Sequence, residues 1–138
     1  MTQKEITICG HEIKMLYCAA TENGFERITK KSTSVFVPTF GKDEKGEIVV
    51  TAPPTATTED YLSLAIAAIV AAYSYIDEEP PIDSKNILYE ATPEEVKLLL
   101  NTIIELRNEW YGIPKIVEET LKKEAEDQKD SAEEPVKN

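Results

Sequence analysis

The stretch Thr92–Pro114, TPEEVKLLLNTIIELRNEWYGIP, states where a helix starts, which face it buries and where it ends. Thr92 can accept a hydrogen bond from a free N–H of the first turn, and Pro93 suits the first helical position, where no N–H partner is needed. Glu95 stands three residues after Thr92, the spacing of a capping box. Val96, Leu99, Leu100, Ile103, Leu106 and Trp110 recur at helical spacing and define one apolar face. Gly112 can adopt the left-handed conformation that closes a helix, and Pro114 discourages continuation.

That apolar face needs a partner, and the chain supplies one upstream. Tyr61–Ile76 is interrupted only by Ser63 and Ser74 and is apolar all round. Thr57, with Asp60 three residues on, forms a second and weaker capping box, and Glu79-Pro80-Pro81 marks the end. A bilayer span needs about 20 residues, more than this run provides. Its flanks, Glu59-Asp60 and Asp77-Glu78-Glu79, offer no Lys or Arg anchor. The segment therefore predicts a helix buried at the centre of a small domain, with no membrane role. Asp83 or Ser84 can cap a short helical turn through Leu88. The Ile82–Leu88 turn would then bridge two roughly antiparallel helices. A further helix is expected from Lys115 past Leu121.

The front of the chain changes period. Glu5–Cys9 and Glu12–Tyr17 alternate apolar and polar residues around Gly10-His11, which predicts a hairpin with Ile6, Ile8, Ile13, Met15 and Tyr17 inward. In that register Cys9 faces Glu12 and Cys18 lies beyond the paired end. The two cysteines are then not cross-strand partners, and read as small, mostly buried thiols of a reducing cytoplasm. Met1-Thr2-Gln3-Lys4-Glu5 runs straight into the first strand, so no secretory leader is expected. Ala20–Ile28 reads as a short helix anchored by Phe25 and Ile28, with Gly24 against it. Ser32–Phe40 and Glu47–Thr51 look extended. The polar run Gly41–Gly46 between them is the tip of a second hairpin or a loop, and Pro38 restricts pairing to an edge. Ala52–Thr58 is a linker.

The expected architecture is an α+β domain over residues 1–121. It comprises a hairpin at 5–17, a helix at 20–30, an extended or hairpin insertion at 32–52, and a helical part at 58–121 with three or four helices around a buried central one. Residues 122–138 form an acidic tail expected to be disordered. Between Glu118 and Glu134 stand eight acids against three lysines. With 138 residues, 41% of them hydrophobic, the chain is long enough to bury a core without disulfide or metal. The net charge of -11 argues against a broad basic face for nucleic acid or an anionic membrane, while leaving room for a basic protein partner.

Little in the sequence carries reactive chemistry. His11 is the only histidine and is expected as an exposed turn residue, since metal sites and acid–base triads need further partners. A Cys9–His11 pair would require Cys9 to turn outward. The acid pairs Glu59-Asp60 and Glu94-Glu95 fall at helix starts, where they complement the macrodipole. Glu78-Glu79 falls at a helix end, where acids are unfavourable, and reads as a solvated loop or the mark of a basic partner. No glycine-rich phosphate loop, calcium loop or nucleophile elbow is present. The chain reads as a non-enzymatic protein with no cofactor. Arg107, Trp110 and Tyr111 are its candidate partner-binding residues, because aromatics and Arg are favoured at interface hot spots. Trp110 reads more readily as the last inward residue of its helix, closing the core. Arg107 and Tyr111 are the two that packing does not readily explain.

Several of these words together resemble a phage or prophage tail assembly chaperone. They are Glu79-Pro80-Pro81-Ile82, the run Ile87-Leu88-Tyr89-Glu90-Ala91-Thr92-Pro93-Glu94-Glu95, and Glu105–Pro114. The front is similar as well, through Cys9–Met15, Ala20-Thr21-Glu22, Phe25-Glu26 and Ile28-Thr29. Tail proteins of this kind often have glycine after that threonine, where this chain has Lys30 and Lys31. The resemblance covers most of residues 5–117 as a pattern of apolar spacing, with Val35–Thr51 as an insertion. It implies a protein of the bacterial host cytoplasm that binds the tape-measure protein, or another tail protein, and self-associates. Such a protein keeps the tape-measure's apolar surface from aggregating until the tail tube forms. The alternatives are a structural completion or adaptor protein retained in the tail and, ranked lower, an acidic nucleic-acid mimic.

Overall fold

Thr58–Ile76 (α2) is the helix that the other elements cover. Its N-terminus is fixed by a reciprocal box: the Thr57 hydroxyl accepts from the Asp60 N–H at 3.1 Å, and the Asp60 carboxylate accepts from the Thr57 N–H at 3.0 Å. Lys31 donates to both Asp60 oxygens, at 3.0 and 3.3 Å. These bonds, the backbone one foremost, hold the Asp60 carboxyl below its ordinary value against the opposing effect of burial. Leu64, Ala65, Ala68 and Ile69 are fully buried along α2, and beyond its exposed first residues, Thr58 and Glu59, only Val70, Ser74 and Tyr75 are exposed. By length and composition α2 could cross a bilayer, but half of that span is buried inside the protein. A core helix meets the same description.

The computed structural model describes residues 1–112. The fold is α+β. Strands Gln3–Ile8 (β1) and His11–Leu16 (β2) pair antiparallel, and helix Ala19–Thr29 (α1) follows. Strands Thr39–Lys42 (β3) and Ile48–Ala52 (β4) form a second antiparallel pair. After α2 come helices Ser84–Glu90 (α3) and Pro93–Trp110 (α4). Helices α1 and α4 and strand β2 all pack on α2. The helix expected from Lys115 past Leu121 and the tail at 122–138 lie outside the described residues.

The second hairpin is present, but the extended reading of Ser32–Phe40 needs correction. Thr33–Phe36 is a turn of 3-10 helix capped by Ser32, whose hydroxyl accepts from the Ser34 N–H at 3.2 Å. It carries Phe36 into the core, where the ring lies 4.9 Å from both Phe25 and Tyr61. Burial of one aromatic overrides the β propensity of its neighbours. Ile28 is corrected as well. It is 55% exposed, because the buried face of α1 is Thr21, Gly24 and Phe25 and the last turn stands clear of it. Gly24 argued against this helix, yet it is buried where α1 meets α2. A methyl group built there would lie 3.4 Å from the Ala67 Cβ. The glycine and the alanine together let the two helix backbones come close.

The first hairpin turns one residue earlier than its spacing suggested. Cys9 and Gly10, not Gly10 and His11, are the turn residues, with φ of 53° and 78°. Positive φ at both central positions is the type I′ pattern, whose twist suits the flanking strands. Ile8 therefore faces His11 and Ile6 faces Ile13. A cysteine at positive φ is unusual. Here its N–H donates to the Glu95 carboxylate at 2.6 Å. The other Glu95 oxygen accepts from the Thr92 N–H at 3.0 Å, completing the capping box of α4. One carboxylate thus closes the start of α4 and holds the hairpin turn. At the far end of α4, Gly112 takes a φ of 71° as expected.

Two outcomes follow from this packing. Gly24→Ala should stay within about 1 kcal/mol of the native stability, because the gain in helix propensity offsets a tight contact. Gly24→Leu should lose about 1–3 kcal/mol by forcing α1 from α2, as read by urea denaturation. Hydrogen bonds from the Thr92 and Cys9 N–H groups lower the Glu95 pKa from 4.5. Its contribution is therefore complete above 4.5 and is lost as the pH falls through the lower folded-state value. Glu95→Gln should weaken the fold at neutral pH and shrink its further loss on acidification, measured by denaturation across a pH series.

Candidate functional site

The last turn of α4 places Arg107, Trp110 and Tyr111 at one end of the molecule, beside the start of α1 and the 3-10 turn. Arg107 points inward and is 8% exposed. Its guanidinium carbon lies 4.7 Å from the centre of the Tyr111 ring and 5.6 Å from that of Phe36. Each such contact supplies about 0.5–2 kcal/mol, more as water is excluded. Among the described residues no carboxylate forms an ion pair with it, and its Nε is buried without an acceptor. The expectation that packing leaves Arg107 unexplained is therefore corrected. It is an interior cation between two rings.

Tyr111 is 48% exposed, and its hydroxyl is anchored. It donates to Glu22 Oε2 at 2.6 Å, and the Tyr17 hydroxyl donates to the same oxygen at 3.0 Å. One carboxylate of α1 thus ties the end of β2 to the end of α4. Burial, and then the Glu22 charge and hydrogen bond, push the Tyr17 hydroxyl far above the ordinary tyrosine value, opposed only by Arg107. Tyr111 is raised by burial and then by Glu22, and Tyr61 chiefly by burial. All three stay neutral where a free tyrosine would ionise.

Trp110 is packed on one side and exposed on the other. One side of the indole meets the Tyr17 ring at 5.4 Å, while 39% of the residue is exposed. The Tyr111 ring meets it edge-on at 4.9 Å. The result is a half-exposed aromatic pair with fixed orientation, backed by Tyr17, Glu22 and Arg107. Nothing in the sequence marks Glu22 as its anchor. It reads there as an ordinary acid of a first helical turn. Phe36 was equally concealed within an apparent strand.

The remaining candidates are dispersed. His11 begins β2 and is exposed. Cys9 is half-buried in the turn, and its thiol pKa is raised by burial and by the Glu95 and Glu90 charges, the opposite of an activated nucleophile. Asp60 and Glu95 are occupied as helix caps. Glu78 and Glu79 follow Asp77, which ends α2 at a φ of 56°, and the three line an open groove of about 360 Å³ with Val70, Tyr73, Ser74 and Pro80. Among the described residues no group of three or more His, Cys, Asp or Glu side chains is placed to hold a metal ion.

Comparison of the chain with protein-family models, curated proteins and solved structures found no match.

The three raised tyrosines have a measurable consequence. A pKa raised in the folded state gives stability that is complete below the unfolded value of about 10 and is lost as the pH climbs beyond it. Unfolding free energy should fall with pH in that alkaline range. Tyr17→Phe should remove much of the slope, as read by denaturant titrations at successive pH values.

Proposed function

We propose that this protein is a non-enzymatic binder that shields an apolar partner during assembly, as a phage or prophage tail assembly chaperone does for the tape-measure protein. The observation that carries the reading is the Trp110–Tyr111 pair, held half-exposed from behind by Tyr17, Glu22 and Arg107. A half-exposed Trp–Tyr pair, stiffened from beneath by the buried Arg107, has the aromatic composition of an interaction hot spot. Its conformation is set before binding, so little ordering entropy opposes association. The family-like sequence words end in this same turn of α4. A long helical partner would lay an apolar stripe across the patch, and the net charge of -11 would keep the pair soluble.

The direct test is co-expression with the product of a neighbouring tape-measure gene. The expected outcome is a larger soluble fraction of that protein and its co-purification with this chain. Trp110→Ala and Tyr111→Ala should each weaken the complex between about fivefold and thirtyfold, the range of 1–2 kcal/mol truncations, without loss of helical content. An unchanged soluble fraction would overturn the proposal. Mass spectrometry of purified particles separates it from the structural alternative, because a chaperone leaves the particle and a completion or adaptor protein remains.

A further inference from the structure

The β3–β4 hairpin is a second surface, independent of the aromatic patch. Its strands pair with each other and with no other strand among the described residues. Phe40 is 52% exposed, Ile48 74%, Val49 38% and, just before β3, Val37 47%. Phe40 faces Val50 across the ladder, and Lys42 faces Ile48. Phe40, Ile48 and Val50 therefore share one face. An isolated two-stranded ribbon is marginal in water, and exposed apolar side chains add to its cost.

The two outer edges of this ribbon differ. The β3 edge follows Pro38 and contains Gly41 and Lys42, three features that discourage further pairing. The β4 edge is Ile48-Val49-Val50-Thr51-Ala52, with no charge, no proline and four β-branched residues. Glu47 and Pro53 stand only at its ends. None of the backbone hydrogen bonds outside the strand ladders and helices involves residues 48–52 among the described residues.

We propose that the β4 edge pairs with the same edge of a second copy of this chain, antiparallel about a twofold axis through Val50, giving a four-stranded sheet ordered β3–β4–β4–β3. Backbone complementarity favours this occupant, since an antiparallel edge is its own partner under twofold symmetry. Charge does not oppose it: the edge Ile48–Ala52 carries none, and residues 39–52 as a whole carry two lysines against three acids. In this arrangement the charged tips, Lys42–Glu47, point in opposite directions and are not brought together. The paired edges meet through uncharged residues alone. Val50 sits opposite Val50, and Ile48 opposite Ala52.

Sedimentation velocity of the full chain over a concentration series tests this arrangement. The native chain should show a reversible monomer–dimer equilibrium. Val50→Lys sets two like charges directly opposite each other and should weaken the dimer at least roughly tenfold. Helical content should be unchanged, because the ribbon lies outside the core. In parallel, Val50→Cys should give, on mild oxidation, a disulfide between position 50 of the two copies, identified by peptide mapping apart from Cys9 and Cys18. A native chain that stays monomeric throughout would overturn the proposal. So would a dimer indifferent to Val50→Lys and free of the position-50 crosslink, which would place the interface elsewhere. These outcomes do not depend on Trp110 or Tyr111, so this proposal and the function proposed above can fail separately.

Discussion

Helix α2 has almost no polar face to give to water, and the rest of the molecule is arranged by that constraint. An apolar cylinder must be covered on most of its circumference. Here α1, α4 and β2 each take a side, leaving exposed beyond the first turn only Val70, Ser74 and Tyr75. Small residues make the cover close. Ala65, Ala67, Ala68 and Ala72 are buried, and Gly24 meets Ala67 without a side chain between. Where a polar group must enter this interior it is matched. Thr21 is fully buried, and its hydroxyl donates to the Leu16 carbonyl at 2.7 Å and accepts from the Cys18 N–H at 3.1 Å. The Tyr73 hydroxyl, on α2 itself, accepts from the Lys14 N–H of β2 at 3.2 Å. Arg107 is the exception, since its charge is met by aromatic faces and its Nε by no acceptor.

The helices were legible because their signals are local. Thr92 with Glu95 and Thr57 with Asp60 cap as their spacing says, and Gly112 ends α4 in the left-handed conformation. Of the six residues that the apolar spacing of α4 named, Leu99, Ile103 and Leu106 are buried to within 1%, Val96 and Leu100 are partly buried, and Trp110 is 39% exposed. The irregular middle was less legible. Val35 and Phe36 carry β propensity, yet the requirement to fill the space between Phe25 and Tyr61 coils them into a 3-10 turn. The one-residue shift of the first turn has a long-range cause too. Cys9 can hold a positive φ beside Gly10 where its N–H meets Glu95, and nothing near Cys9 in the sequence announces that residue.

The candidate site divides the same way. Trp110 and Tyr111 stood out by residue type, and both are partly exposed. Their setting came from Tyr17, Glu22 and Phe36, far upstream in the chain, so its logic could be read only in three dimensions. Arg107 shows the difference most clearly. By composition it belonged to a recognition surface. In the fold it lies buried beneath the Tyr111 ring, so the exposed aromatic pair owes its shape to a residue that is itself interior.

The bond between Cys9 and Glu95 bears on how the chain comes to be folded at all. The β1–β2 hairpin is synthesised before α4, and its ladder is local enough to form quickly. Yet its turn is held by a residue of α4, its first strand pairs Lys4 with Glu105, and Tyr17 at its end rests on Trp110. All three partners belong to α4, the last of the described elements to be made. The hairpin is made well before the helix that secures it, and until α4 emerges its inward face has no lasting cover. A nascent chain of this kind stays dependent on its own C-terminal half, and any interruption between α2 and α4 leaves an apolar helix and an unanchored hairpin exposed together.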